Sequence, residues 1–500
     1  MKEILMTIFL SLIFVFGSFS NVYACTGIYV GKKVSKNGST IVARTEDISS
    51  AHPKSIIIYP RENFESGSMY KSEITDFQYP NPSHTYKYYA VADSDGNNDD
   101  GIYDSVGFNE FGLSVSATVS AEVREEINNL DPIVENGLRE ADIATLILSR
   151  CKTAKEGIEL IAKIVDEKGS AEGNIIMIAD KGETWYMELL SGHQYAAIKL
   201  EEDVAAIIPN CFMLDFINLN DEKNTIISKD LINLPEKNNL LQYKNNKFSI
   251  SKTYAPDLVD ENKVRLWGGQ YFLAPEKSKD YKNDLELFFK PDKKVSIQDI
   301  MELQKYRYEN TDKYVDLDKN KQLEQPIRPI GIETQAECHI LEIRDDFPKE
   351  APGILWLSLG NAEHNIYLPY FPTVNKIEDV YSNRYHDFNE NQAYWIFRGQ
   401  ATLAELNREK YGKNIRRFWT NYQEKLLREQ EVKNNVFIDL YSVDKNKAIE
   451  FSNEEASRIG TEAYNKARKI YQELFRYIAS EGGRVSEEDF IPSEMLFNYN

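Results

Sequence analysis

The sequence predicts an α+β protein, with a sheet assembled from consecutive antiparallel hairpins followed by a run of long helices. Three observations carry that prediction. Strand-like runs flank turn signals: residues 26–32 and 39–44 lie about Asn37-Gly38, and 174–179 and 184–190 about 180–183. Helix starts are marked by side chains that cap exposed N–H groups, as where Thr153 precedes Glu156. Beyond Asn391 the pattern changes to long helical periodicities at 393–411, 415–431 and 454–481.

Taken in order, the first hairpin has two registers. A two-residue turn at Asn37-Gly38 pairs Gly31 with Arg44, whereas a loop over 32–38 brings Arg44 opposite Cys25. Residues 86–92 and 107–120 add strand character, the second after a turn at 109–112. Ile158, Ile161 and Val165 then recur at helical spacing until Lys168-Gly169 ends the run. Residues 197–200 and 204–209 extend the hairpin pattern, and the Lys/Asn-rich stretch 218–252 reads as a solvated connection with a short helix. A helix is expected over 296–306. The spacing of Asp316, Asp318 and Asn320 is that of a calcium loop, but Lys321 and Ile327 stand where the turn glycine and closing glutamate belong, so no metal is expected. Strand-like runs return at 337–343, 353–358 and 366–369. In the last helix Ala463, Ala467, Ile470, Leu474 and Ile478 share one face, which predicts packing against the sheet domain. The expected organisation is a signal peptide at 1–24, a catalytic domain at 25–390 and a helical extension at 391–500 packed on that domain.

Composition bounds the function. The 500 residues are 42% hydrophobic and 28% charged, as in a globular protein, and the net charge of −20 argues against a nucleic-acid partner. The apolar run 4–19, followed by Val22-Tyr23-Ala24, reads as a secretory signal cut before Cys25. The exported protein is then periplasmic or extracellular, without stable membrane insertion, and is compatible with a homo-oligomer. Cys25, Cys151, Cys211 and Cys338 predict no disulfide framework. No phosphate loop, Gly-x-Ser-x-Gly elbow or zinc-protease helix is found, and no cofactor is expected. The six histidines are scattered and form no catalytic signature.

Chemistry concentrates at Cys25. Cut after Ala24, it carries a thiol and a free α-amine on one Cα; an amine of pKa about 8 can serve as base for a thiol of pKa about 8.5. Such a nucleophile needs a cation beside the sulfur, a carboxylate for the amine and donors for the oxyanion. Arg44 and Asp47 supply the first two residue types; the plainer alternative for them is an exposed ion pair.

CTGIYVGKK at Cys25, the run ending in Asp47, NEFGLSVSAT, GNIIMIADKGETWYMEL, GILWLSLGNAEHNIYLPYF and QAYWIFR together resemble the dipeptidase A family of cysteine peptidases. That family belongs to the N-terminal-nucleophile hydrolases, whose relatives include penicillin V acylase and bile salt hydrolase. The resemblance runs from Cys25 to about Glu481 and implies an αββα sandwich of two antiparallel sheets acting on short peptides. By position it implies Cys25 as nucleophile, Asp47 holding the α-amine, Arg44 against the sulfur, Asn210 at the oxyanion and Arg265 as a second active-site arginine. The acylases' other oxyanion asparagine falls here near 118–120, where a hydroxyl or backbone donor would have to substitute. Two rivals remain: a bile salt or N-acyl amide hydrolase with the same chemistry, and a lipoprotein acylated on Cys25 that serves as a binding protein.

Overall fold

The computed structural model describes residues 25–48, 52–73, 75–93, 104–278, 280–281, 285–314, 327–482 and 488–496. The signal segment at 1–24 and the Asp316, Asp318, Asn320 run lie outside them. Among the described residues no helix is long and apolar enough to cross a membrane.

Two antiparallel sheets form the centre. The first has seven strands, in the spatial order Phe288–Phe289, Ala205–Ile208, β1 (Thr26–Val30), β2 (Thr40–Asp47), Gln335–Ile343, Gly353–Leu359 and Leu368–Tyr370. The second has eight strands, drawn mainly from residues 54–59, 88–121 and 173–199. Strand alternation sends every second residue of β1 and β2 into the space between the sheets, so Cys25, Tyr29 and Val42 pack with Val106, Phe108, Ile175 and Met177 of the opposite sheet. Ile28, Val30, Ile41 and Ala43 point the other way, beneath Leu266 of the Asp260–Leu273 helix and Ile300 of the Ile297–Leu303 helix. The outer face of the second sheet is covered in the same manner by the Glu140–Arg150 and Ala154–Lys168 helices. The result is four layers, αββα, as the resemblance implied.

The first hairpin adopts neither expected register. Its loop is wide, but Arg44 lies opposite Gly27 rather than Cys25. Asn37 explains the missing tight turn: its Oδ1 accepts from the Ser39 N–H and hydroxyl, and its Nδ2 donates to Glu342, 2.7 Å away, so the side chain is tied to another strand. The hairpins also do not build one sheet. Tyr195–Lys199 belongs to the second sheet and Ala205–Ile208 to the first, because the chain crosses between layers after Leu200 and pairs Ile208 with Gly27. The stretch read as a solvated connection adds a strand, Thr225–Ile227, to the second sheet's edge. Thr153 caps its helix as expected, although the Glu156 carboxylate reaches the Lys152 N–H, not that of Thr153.

Three long helices follow the sheets, Ala393–Glu405, Lys413–Val443 and Lys445–Ser480, with a single turn at Ser493–Leu496 after them. The first stops at Glu405, short of the expected 411, where a π-helical turn at Arg408–Gly412 intervenes, whereas the second runs on to Val443 and the third starts earlier, at Lys445. Phe397, Trp419, Ala463, Ala467, Ile470 and Leu474 join the inter-sheet core, making the extension continuous with the sandwich.

Candidate active site

Cys25 sits at the leading end of β1, a central strand with neighbours on both sides, so its position is fixed by two ladders of hydrogen bonds. Its side chain is on the inward face and only 5% exposed. Arg44 projects from the neighbouring strand on that same face, diagonal to Cys25 across Gly27. A Cβ at residue 27 would come within 3.1 Å of Ile208 Cβ and 3.3 Å of Met177 Cε, so a glycine fits the crowded ground beside the arginine.

Arg44 is 2% exposed, which excludes the exposed ion pair with Asp47. Nη1 donates to the Thr118 carbonyl, and Nη2 stands 3.3 Å from Glu46 Oε1 and 3.6 Å from Glu337 Oε1. Glu46 Oε2 is 2.7 Å from Lys54 Nζ, and Lys54 is also paired with Asp93. Behind Glu337, His339 Nδ1 is 2.8 Å from Glu337 Oε1, and its Nε2 is 2.8 Å from Ser116 Oγ. This buried polar cluster between the sheets escaped sequence reasoning, because Glu337 and His339 alternate with apolar residues as on a solvent-facing strand.

Burial pushes the Cys25 thiol up to about 12; Arg44 pulls it down, while Glu46, Asp47 and Glu140 push it further. A thiol raised in this way needs a base at the moment of reaction.

Asp47, buried on the opposite face of β2, lies on the side of the Asp260–Leu273 helix. Arg328 Nη2 is 3.5 Å from its Oδ2, and Oδ1 has no hydrogen-bond partner among the described residues. Burial raises this carboxyl to about 6, against the pull of Arg328 and Arg265. Arg265, carried by that helix, binds the leading end of β1 directly: Nη1 donates to the Cys25 carbonyl at 2.6 Å and to Thr26 Oγ1 at 3.2 Å. Nη2 donates to Asn210 Oδ1 at 2.9 Å and to Asn262 Oδ1. Burial, followed by the like charge of Arg328, brings the Arg265 guanidinium down to about 10. Asn210 follows the strand beside β1, and its Nδ2 donates to the Ser120 carbonyl at 2.8 Å.

All five expected residues thus gather about one strand end, with Arg328 and Asn262 as further members. The hydroxyls proposed to complete the oxyanion hole are occupied elsewhere: Thr118 Oγ1 donates to Glu140 Oε2 at 2.6 Å, and Ser120 Oγ lies 3.5 Å from the same oxygen. Burial and the like charge of Glu172 raise Glu140 to about 7. A cavity of about 700 Å³ is walled by Cys211, Phe212 and Met213 and by groups of both signs, including Arg124, Lys252, Glu125 and Asp257; none of the five expected residues lines it. Glu363, His364 and Glu405 are close enough together to ligate a cation, yet Arg307 and Arg408 already hold both carboxylates, so the set does not fit a metal.

The model of peptidase family C69 matches residues 24–421. A probable dipeptidase B of Streptococcus pyogenes serotype M1 is 37% identical over 476 residues, covering 93% of this chain and 94% of its own. A probable dipeptidase A of Streptococcus pyogenes serotype M3 (strain SSI-1) is 31% identical over 391 residues, covering 76% and 83%. Among solved structures, a conjugated bile acid hydrolase from Clostridium perfringens aligns over 69% of this chain and 92% of its own, at 11% identity and a TM-score of 0.33.

Proposed function

The chain belongs to peptidase family C69, a family of peptide-bond hydrolases, and we propose that it is an exported cysteine dipeptidase whose nucleophile is Cys25 and whose general base is the Cys25 α-amine. The observation that carries this reading is the convergence of Arg44, Asp47, Asn210 and Arg265 on the leading end of β1, two from one neighbouring strand and two from beyond the other. Four charges or dipoles are not needed to hold a strand end. They are what an amine, a thiol and a developing oxyanion require.

Removal of 1–24 frees the amine. The S–H proton then passes to the α-amine as the sulfur attacks the peptide carbonyl, forming a C–S bond and an oxyanion that the Asn210 amide stabilises. The α-ammonium returns the proton to the leaving nitrogen as the C–N bond breaks. Water, deprotonated by the same amine, cleaves the thioester and restores the thiol. The high thiol pKa accords with a base that acts during attack rather than with a standing thiolate. Arg44 stabilises the sulfur as it becomes negative, and the buried Asp47 carboxylate is the counter-charge for the ammonium. Asn210 has a second amide hydrogen beyond the one given to Ser120.

Intact mass and N-terminal sequencing of the exported protein, joined to kinetics on a dipeptide panel beside glycine-conjugated bile acids, test the reading. An unmodified Cys25 at the terminus and preference for dipeptides are expected. An acylated Cys25 would make the protein a lipoprotein, and preference for bile acids would move the substrate class.

A further inference from the structure

We propose that Glu46 and Glu337 are positioning residues for Arg44, jointly fixing the direction in which its guanidinium faces the Cys25 thiol. The proposal rests on the reading of Cys25 as nucleophile. The two glutamates are directly opposed across the β2 and Gln335–Ile343 ladder, and both are essentially without solvent. Opposed like charges on neighbouring strands repel, and burial strengthens the repulsion. Arg44 Nη2 lies between them, at 3.3 and 3.6 Å, while Nη1 is held by the Thr118 carbonyl of the other sheet. A planar guanidinium held at three points has one orientation; an ammonium on a flexible stem would have several.

Each glutamate is itself held from behind. Lys54 takes Glu46, and Asp93 takes the far side of Lys54. On Glu337 the support is a Ser116, His339, Glu337 chain with both links at 2.8 Å. With the proton on Nδ1 donated to Glu337, His339 Nε2 accepts from the Ser116 hydroxyl, so both links are satisfied. This chain has the composition of an acyl-transfer triad but not its use. Ser116 is 2% exposed in the middle of a strand, and Glu337 Oε1, the oxygen that meets His339, is the one nearest Arg44. Its direction runs toward Arg44 and through it to the sulfur.

The test uses the mature enzyme and two readouts: dipeptide kinetics, and the pH dependence of Cys25 alkylation by iodoacetamide, with Cys25→Ala protein subtracting the three other thiols. Glu46→Gln and Glu337→Gln are expected to lower kcat about 10- to 100-fold at unchanged KM, the size of effect a small misplacement has. They are also expected to move the alkylation midpoint. Arg44→Lys combined with Glu337→Gln should be no worse than Arg44→Lys alone, because the carboxylate acts through the arginine. Wild-type kcat with an unmoved midpoint in folded Glu337→Gln, or strictly additive losses in the double variant, overturns the proposal. If Glu337→Gln does not fold, Ser116→Ala, which removes one hydroxyl, reads the same midpoint; a shift supports the proposal and its absence overturns it. Turnover surviving in Cys25→Ala would instead overturn the nucleophile, so the two failures are distinct.

Discussion

Asp47→Asn should separate stability from activity in opposite directions. The carboxylate is buried, meets Arg328 at 3.5 Å, and its pKa is raised from 3.8 to about 6. A carboxyl raised on folding holds its proton more tightly in the native state, so its ionised form destabilises the fold. The penalty is absent below about pH 4, grows as pH rises between the two values and is complete above 6. A rise of about two units corresponds to roughly 3 kcal/mol, an upper figure. In protein that still carries a residue before Cys25, the amine is locked in a peptide bond and cannot answer this charge. There Asp47→Asn is expected to stabilise by about 1–3 kcal/mol at pH 8 and by nothing at pH 4. In the mature protein the ammonium supplies the counter-charge, so the gain shrinks while turnover falls. Urea unfolding of both forms at the two pH values, beside dipeptide hydrolysis, measures all of this. A blocked-form variant that is destabilised equally at pH 4 and pH 8 would refute the electrostatic account, leaving Asp47 as a packing residue.

Three further outcomes are expected. Cys25→Ala should abolish turnover while changing stability by no more than about 1 kcal/mol, read by kinetics and thermal unfolding; wild-type activity would end the nucleophile assignment. Asn210→Ala should lower kcat by about 10²- to 10³-fold if its amide meets the oxyanion, and a change confined to KM would assign it to substrate binding instead. Glu405→Gln, which loosens buried Arg307 and Arg408, should cost about 3–5 kcal/mol in denaturant unfolding yet leave kcat per folded molecule intact.

Much of the site was legible because its first part is local. The apolar run before Cys25, the strand pattern on either side of Asn37-Gly38 and the short Arg44 to Asp47 spacing need only nearby residues to be read. Arg265 was found through resemblance alone. Its helix opens on four polar residues, Asp260 to Lys263, and packs its small residues closely, with Gly268 against Tyr308 and Gly269 against Ile207, so no amphipathic stripe announces it. Long-range pairing was illegible for another reason. β2 takes its second partner from Gln335–Ile343, nearly the whole sandwich later in sequence, and no local propensity encodes that choice. The crossing from one sheet to the other after Leu200, which delivers Asn210 to Arg265, is of the same kind.

The ring of charges at Arg307, Glu363, Glu405 and Arg408 bears on how the molecule comes apart. It draws on the chain after the Ile297–Leu303 helix, the turn after Gly353–Leu359 and the end of Ala393–Glu405, all buried together. A protein cut back to its sheets would keep the Arg307–Glu363 pair but lose Glu405 and Arg408, the second partner of each, and would bare the apolar face beneath Phe397 and Trp419. Calorimetry should accordingly record sandwich and helices melting as a single cooperative transition, with no minimal catalytic fragment to be recovered by proteolysis.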